Sequence, residues 1–126
     1  MKQHEVWLKK AENDHLSALK LSEGNEPILD TAIYHTQQCA EKAFKAFLVF
    51  NGRTVRKIHD LNELLNECIT INNDLVNLRD HVIILNPYSA VFRYPGDIIE
   101  PEYEDVEEAI ICSEKILKFI ENLIND

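Results

Sequence analysis

The chain has 126 residues, enough for one domain of ordinary size and too few for two. It is 45% hydrophobic and 28% charged with only 3 Gly and 4 Pro, which excludes a disordered tail and a turn-rich β-sandwich and favours long helices. Thirteen Lys and Arg against 22 Asp and Glu leave a net charge of −9, so the surface as a whole is not built to coat nucleic acid or an anionic membrane.

Trp7, Leu8, Ala11, His15, Ala18 and Leu19 recur at helical spacing, and this first helix is expected to stop near Gly24-Asn25. Pro27 is expected in the first turn of a second helix. Its apolar stripe is Leu29, Ala32, Ile33, Thr36, Cys39, Ala40, Ala43, Phe44 and Phe47, and its end is Asn51-Gly52. A polar, basic segment follows from Gly52 to His59. Asp60, with Glu63 three residues on, then caps a short third helix carrying Leu64, Leu65, Cys68 and Ile69. Asn72-Asn73-Asp74 starts a fourth, with Leu75, Leu78, Val82 and Leu85 inward and Asn86-Pro87 as a kink or stop. Residues 86–101 hold three of the four prolines and read as the one irregular connection. The last helix begins near Tyr103 and turns Val106, Ala109, Ile110, Ser113, Ile116, Leu117, Ile120 and Leu123 to one side.

Nothing alternates with period two and nothing repeats. The expected fold is all-α, an up-and-down antiparallel bundle of four to five helices forming a single domain over 1–126. Met1 to Glu5 is polar, and no stretch approaches the ~20 apolar residues that span a bilayer, so a cytoplasmic chain without leader or anchor is expected. Cys39, Cys68 and Cys112 are odd in number, far apart and set among apolar residues, as reduced buried thiols are. His4, His15, His35 and His81 share no ligand spacing, so neither metal nor cofactor is expected.

The charge is unevenly distributed. From Lys42 to His59 stand five bases, Lys42, Lys45, Arg53, Arg56 and Lys57, and no acid. From Asp97 to Glu108 stand seven acids, Asp97, Glu100, Glu102, Glu104, Asp105, Glu107 and Glu108, and no base. These segments could pair with each other, pair between subunits, or face separate partners; a small anion site at the end of the second helix is the sharper reading of the bases. Tyr34, Gln38, Glu41 and Lys45 follow i, i+4, i+7, i+11 and make a polar stripe, either a cleft lining or a hydrated face carrying a Glu41–Lys45 pair. Arg93, among Tyr88, Phe92, Tyr94 and Pro95, is composed like a nucleotide or partner contact, or else ties its loop to the acidic start of the last helix.

Four strings together resemble the HEPN family: Trp7 with Ala11-Glu12-Asn13-Asp14; the run from Ala32 to Ala46; His59-Asp60-Leu61; and Arg93-Tyr94-Pro95. The resemblance spans nearly the whole chain and implies a helical bundle that forms a homodimer. It also implies a place in a toxin–antitoxin-like pair beside a minimal nucleotidyltransferase, with nucleotide or RNA bound near Arg93, Tyr94 and the basic segment. A branch of the family consists of metal-independent ribonucleases carrying Arg, four to six residues, then His. Arg53 to His59 satisfies that spacing, with His59 as acid or base and Arg53 or Arg93 on the phosphate. In that branch the motif belongs to later helices, where this chain has Arg93-Tyr94-Pro95 and no histidine, and Arg79-Asp80-His81 is spaced too tightly. His59 can equally be a residue flanking the Asp60 cap.

Overall fold

A computed structural model describes residues 1–96 and 99–125. Five α-helices follow one another: α1 Gln3–Ser22, α2 Leu29–Phe50, α3 Leu61–Ile71, α4 Arg79–Leu85 and α5 Tyr103–Ile124. No strand occurs among the described residues, and the helices form the expected antiparallel bundle. None of these helices is long and apolar enough to cross a membrane.

α2 is the axis of the molecule because its neighbours α1, α3, α4 and α5 all pack on it. Thirteen of its 22 residues are buried, so its apolar stripe is flanked by interior positions that a surface helix would leave in water. Phe44, Ile33 and Leu48 of α2 lie fully inside with Leu61 and Leu65 of α3, Val82 and Leu85 of α4, and Val106, Ile116 and Ile120 of α5. The short 23–28 linker returns the chain against α1 and is closed by the Ile28 N–H donating to Leu21 O at 2.8 Å.

The helix ends follow from particular residues. At the end of α2, Gly52 takes φ 76°, which a residue with a Cβ adopts at a cost. Its N–H donates to Val49 O and that of Arg53 to Leu48 O, the paired closure of a Schellman stop. Asp60 caps α3 through Oδ1, which accepts from the N–H of Asn62 at 2.8 Å and of Glu63 at 3.3 Å. Asn86, 25 residues on, accepts the Leu61 N–H at 2.8 Å. α5 begins at Tyr103 as expected, with a capping box between Glu102 and Asp105.

Two local expectations are corrected. Pro27 lies in the linker, because Ile28 is the N-cap with non-helical angles and α2 starts only at Leu29. The fourth helix is composite: a 3₁₀ turn over Asn73–Leu78 leads into α4, and a second 3₁₀ turn over Asn86–Ser89 leaves it. Pro87 sits in that exit, where its missing N–H prevents another α-turn.

Candidate functional site

A charged residue inside a bundle is costly unless it is paired, and α2 brings two such pairings together. The first centres on Asp14, a residue of α1 that is only 6% exposed because it lies on the same face as Ala11 and Ala18. One carboxylate oxygen contacts His35 Nδ1 at 2.8 Å and the other accepts from Lys42 Nζ at 2.8 Å, both partners standing on α2. The second centres on Glu41, which is 3% exposed. Its Oε2 accepts from the equally buried Lys45 at 3.0 Å, and its Oε1 meets His59 Nδ1 at 3.1 Å. Each centre is thus a carboxylate held between one lysine and one histidine.

A carboxylate only accepts, so Nδ1 carries the proton in both histidines and Nε2 is left open. His59 presents its ring to solvent, 71% exposed, while Glu41 holds it from behind. Gln37, fully buried, fixes the backbone there by donating from Nε2 to His59 O at 3.1 Å, and Gln38 donates to Gln37 Oε1 at 2.7 Å. A carboxylate-oriented, solvent-facing imidazole with an open Nε2 is equipped to accept and pass on a proton.

Arg93 completes the Asp14 side. Phe92 adopts φ 73°, an unusual conformation for an aromatic residue that costs about 1–2 kcal/mol, and its ring stacks on Tyr88 at 6.0 Å. The turn carries Arg93 back to α2, where its guanidinium carbon lies 3.8 Å above the centre of the Tyr34 ring. Tyr34 in turn meets His35 edge to face at 5.7 Å. Asp30, Thr31, Tyr34, His35, Phe92 and Arg93 line a cleft of about 300 Å³ here. Asp30 is occupied locally, accepting the Thr31 N–H at 2.8 Å. Stacking engages the face of the guanidinium and leaves its N–H edge for a ligand.

Tyr34, Gln38, Glu41, Lys42 and Lys45 all join these networks. The hydrated-face reading of the stripe is overturned, because the Glu41–Lys45 pair forms in the interior. The described contact of Arg93 is with the Tyr34 ring of α2, and it makes no ion pair with the described acids at the start of α5. Tyr94 stands exposed beside it. Arg53 and His59 do not share a partner: Arg53 and Arg56 both reach Glu67 at 3.7 Å, whereas His59 belongs to Glu41. The basic segment is therefore not a uniform patch. Two of its lysines point inward, its two arginines share one carboxylate, and Lys57 has no ion pair among the described residues. None of the described acids of the 97–108 run pairs with these bases; Asp97 lies outside the described residues. No group of three or more His, Cys, Asp or Glu stands in an arrangement suited to a metal ion among the described residues.

Asp14, His35 and Gln37 were not singled out from the sequence as site residues. The available signal was an Asp on the apolar face of a helix, between Ala11 and Ala18, where hydrophobic spacing demands a small or apolar side chain. The three cysteines are buried and free as expected. Burial raises the Cys39 and Cys112 thiols and pushes Cys68 up to about 12, which leaves them unreactive. Near Cys39, partial burial and the adjacent Glu12 carboxyl raise Glu121 from 4.5 to about 7.

The sequence matches the HEPN domain over residues 4–123. The Methanocaldococcus jannaschii protein named "Putative toxin MJ1304" is 30% identical over 141 aligned positions that cover all of this chain and 91% of that protein. Among solved structures, the archaeal HEPN homologue ST0689 is 30% identical and superposes with a TM-score of 0.75, covering 98% of this chain and 99% of its own. TT1696 from Thermus thermophilus is 26% identical with a TM-score of 0.78, covering 97% and 98%. Both carboxylate centres and the Arg93 cleft lie inside the matched region, and the chain belongs to the HEPN domain family.

Proposed function

We propose that this chain is a toxin-like HEPN protein acting as a homodimer beside a minimal nucleotidyltransferase, and that it binds the phosphate of a nucleotide or RNA strand in the cleft headed by Arg93. The observation that carries the reading is the guanidinium of Arg93 stacked 3.8 Å over Tyr34, beside a histidine oriented by the buried Asp14. That arrangement offers a bidentate donor edge to one anion, joined by an Nε2–H donor when the imidazole carries both protons, without requiring a basic protein overall. The name of the Methanocaldococcus relative supports the toxin-like role. The exposed acids Glu102, Glu104, Glu107 and Glu108 support a separate surface for a basic partner protein.

The test is binding of a short single-stranded RNA and of adenosine 5′-monophosphate to wild type and Arg93→Ala. A loss of about tenfold or more in affinity is expected, because a charge-assisted bidentate contact disappears. Unchanged affinity would refute the cleft assignment. Copurification with a minimal nucleotidyltransferase of the same organism tests the partnership, and a mass of twice 14.6 kDa in solution tests the dimer.

The Glu41–His59 pair favours a second reading, a metal-independent ribonuclease in which His59 Nε2 takes or gives the proton. RNA cleavage that persists in EDTA and disappears in His59→Ala would establish it; no cleavage, or cleavage indifferent to His59, would dismiss it.

A further inference from the structure

α1 and α5 both pack on α2, and they also meet each other along a seam. His15 Nε2 lies 3.4 Å from Glu114 Oε2 at one level of that seam. Further along, Leu19 and Glu23 of α1 face Tyr103, Glu107, Ile110 and Ile111 of α5 across a cavity of about 290 Å³. Rising numbers on α1 meet falling numbers on α5, so the two helices are antiparallel and the groove between them runs toward the α5 start.

The outer side of the groove is open. Leu16, Tyr103 and Ile111 each stand about half exposed there, with Leu19 and Ile110 partly covered beside them. Single exposed apolar residues are ordinary, but these lie one or two helical turns apart on two adjoining helices and form one strip. Acids rim the strip. Glu102 and Asp105 are engaged in the capping box of α5, whereas Glu23, Glu104, Glu107 and Glu108 are exposed and make no ion pair among the described residues. The helix dipole favours an acid in the first turn only, and Glu107 and Glu108 stand in the second, at i+3 and i+4 from Glu104, where like charges repel. The nearest bases along the two helices are Lys20, one turn before Glu23, and Lys115, one turn beyond Ile111.

That charge selects the occupant. Nucleic acid and an anionic membrane carry the same sign as the rim, and a second copy seated about a two-fold axis would set the acids against themselves. A helix with an apolar stripe flanked by Lys or Arg has the opposite sign and a matching length: Tyr103 to Ile110 spans about 10 Å of α5, the distance covered by anchors at i, i+4 and i+7. We infer that the outer seam of α1 and α5 is a docking groove for a basic amphipathic helix of a partner protein, its apolar anchors on Leu19, Tyr103 and Ile111 and its bases facing Glu23, Glu104, Glu107 and Glu108. The inference rests on the reading of the α5 acids as a separate partner surface, and it adds the structural class of the bound segment and the residues that hold it.

The probe is a helical Ala/Gln peptide carrying Leu at i, i+4 and i+7 flanked by four Lys, titrated by calorimetry into the full chain. Its two controls are a peptide of the same composition with the Leu residues dispersed around the helix, and one with Glu in place of Lys. Saturable binding of the probe is expected, at least about tenfold tighter than either control and weakened by salt. Ile111→Asp removes an apolar contact and Glu107→Lys reverses a rim charge; both positions are exposed, so the melting curve should hold while probe affinity falls about tenfold. No binding of the probe, equal binding of the dispersed peptide, or undiminished binding to both variants would overturn the inference. So would a dimer that dissociates in Ile111→Asp, by placing a second copy of the chain in the groove. Copurification of a minimal nucleotidyltransferase that survives both substitutions would refute the groove and keep the partnership, whereas probe binding lost in both variants without any copurifying transferase would keep the groove and refute that partnership.

Discussion

Glu41→Leu is the most informative single perturbation of the interior. Glu41 and Lys45 are 4% and 5% exposed at the side chain and 3.0 Å apart, so removing the carboxylate strands an ammonium group in the bundle. Breaking one partner of a buried pair costs about 3–5 kcal/mol. Lys45 also borders a cavity beneath Trp7, where its head can hydrate, which places the expected cost at the lower end, about 3 kcal/mol. An unfolding entropy of about 2.1 cal/mol/K per residue over 126 residues gives roughly 0.26 kcal/mol/K, so Tm should fall by about 11 °C. Lys45→Met should cost less, about 1–2 kcal/mol, because Glu41 keeps His59 as a partner. Glu41→Leu/Lys45→Met removes both charges and fills the space with apolar atoms, so it should lie within about 1 kcal/mol of wild type or above it. Thermal and urea unfolding followed by circular dichroism complete the cycle. If Glu41→Leu lowers Tm by less than about 3 °C, or if the double variant equals the sum of the singles, the pair does not couple in the interior and the reasoning fails.

The remaining expectations concern the helix ends, a raised carboxyl and the thiols. Asp60→Ala removes the cap of α3 and should cost about 1 kcal/mol in urea unfolding, with Asp60→Asn costing far less. Glu121 holds its proton more tightly in the folded protein than in the unfolded chain, because its pKa rises from 4.5 to about 7. Its contribution to stability is therefore complete below about pH 4.5 and is lost as pH rises through about 7. Glu121→Gln should flatten the stability–pH curve across that window and raise the unfolding midpoint above it; an unchanged slope would dismiss the Glu12–Glu121 contact. Native protein at pH 8 should react with a thiol reagent far more slowly than unfolded protein, which should titrate three equivalents.

Helix content was legible because it depends on spacing along one chain. The apolar stripes of α2 and α5 repeat with the period of a helix, and their members are buried or half-buried. Asp60 and Tyr103 mark helix starts for equally local reasons, since a cap bonds to backbone two or three residues away. Pro27 misled because proline suits the first turn of a helix and also the linker before it, and the torsion angles of Ile28 decided between them.

What the sequence by itself determined is the all-helical bundle, its helix boundaries to within a few residues, the family, and the residue types that carry charge onto α2. What only the tertiary structure decided is where those charges go. Periodicity along α2 cannot tell a polar stripe in water from one buried beneath other elements. Asp14 meets His35 and Lys42 across 21 and 28 residues, and Glu41 meets His59 across 18. Such contacts are made by packing one helix or loop on another, which no local pattern encodes. The same packing turned Lys42 and Lys45 inward, shared Glu67 between two arginines, and laid Arg93 on Tyr34. It resolved a run of five bases into two networks centred on buried carboxylates and an exposed rim.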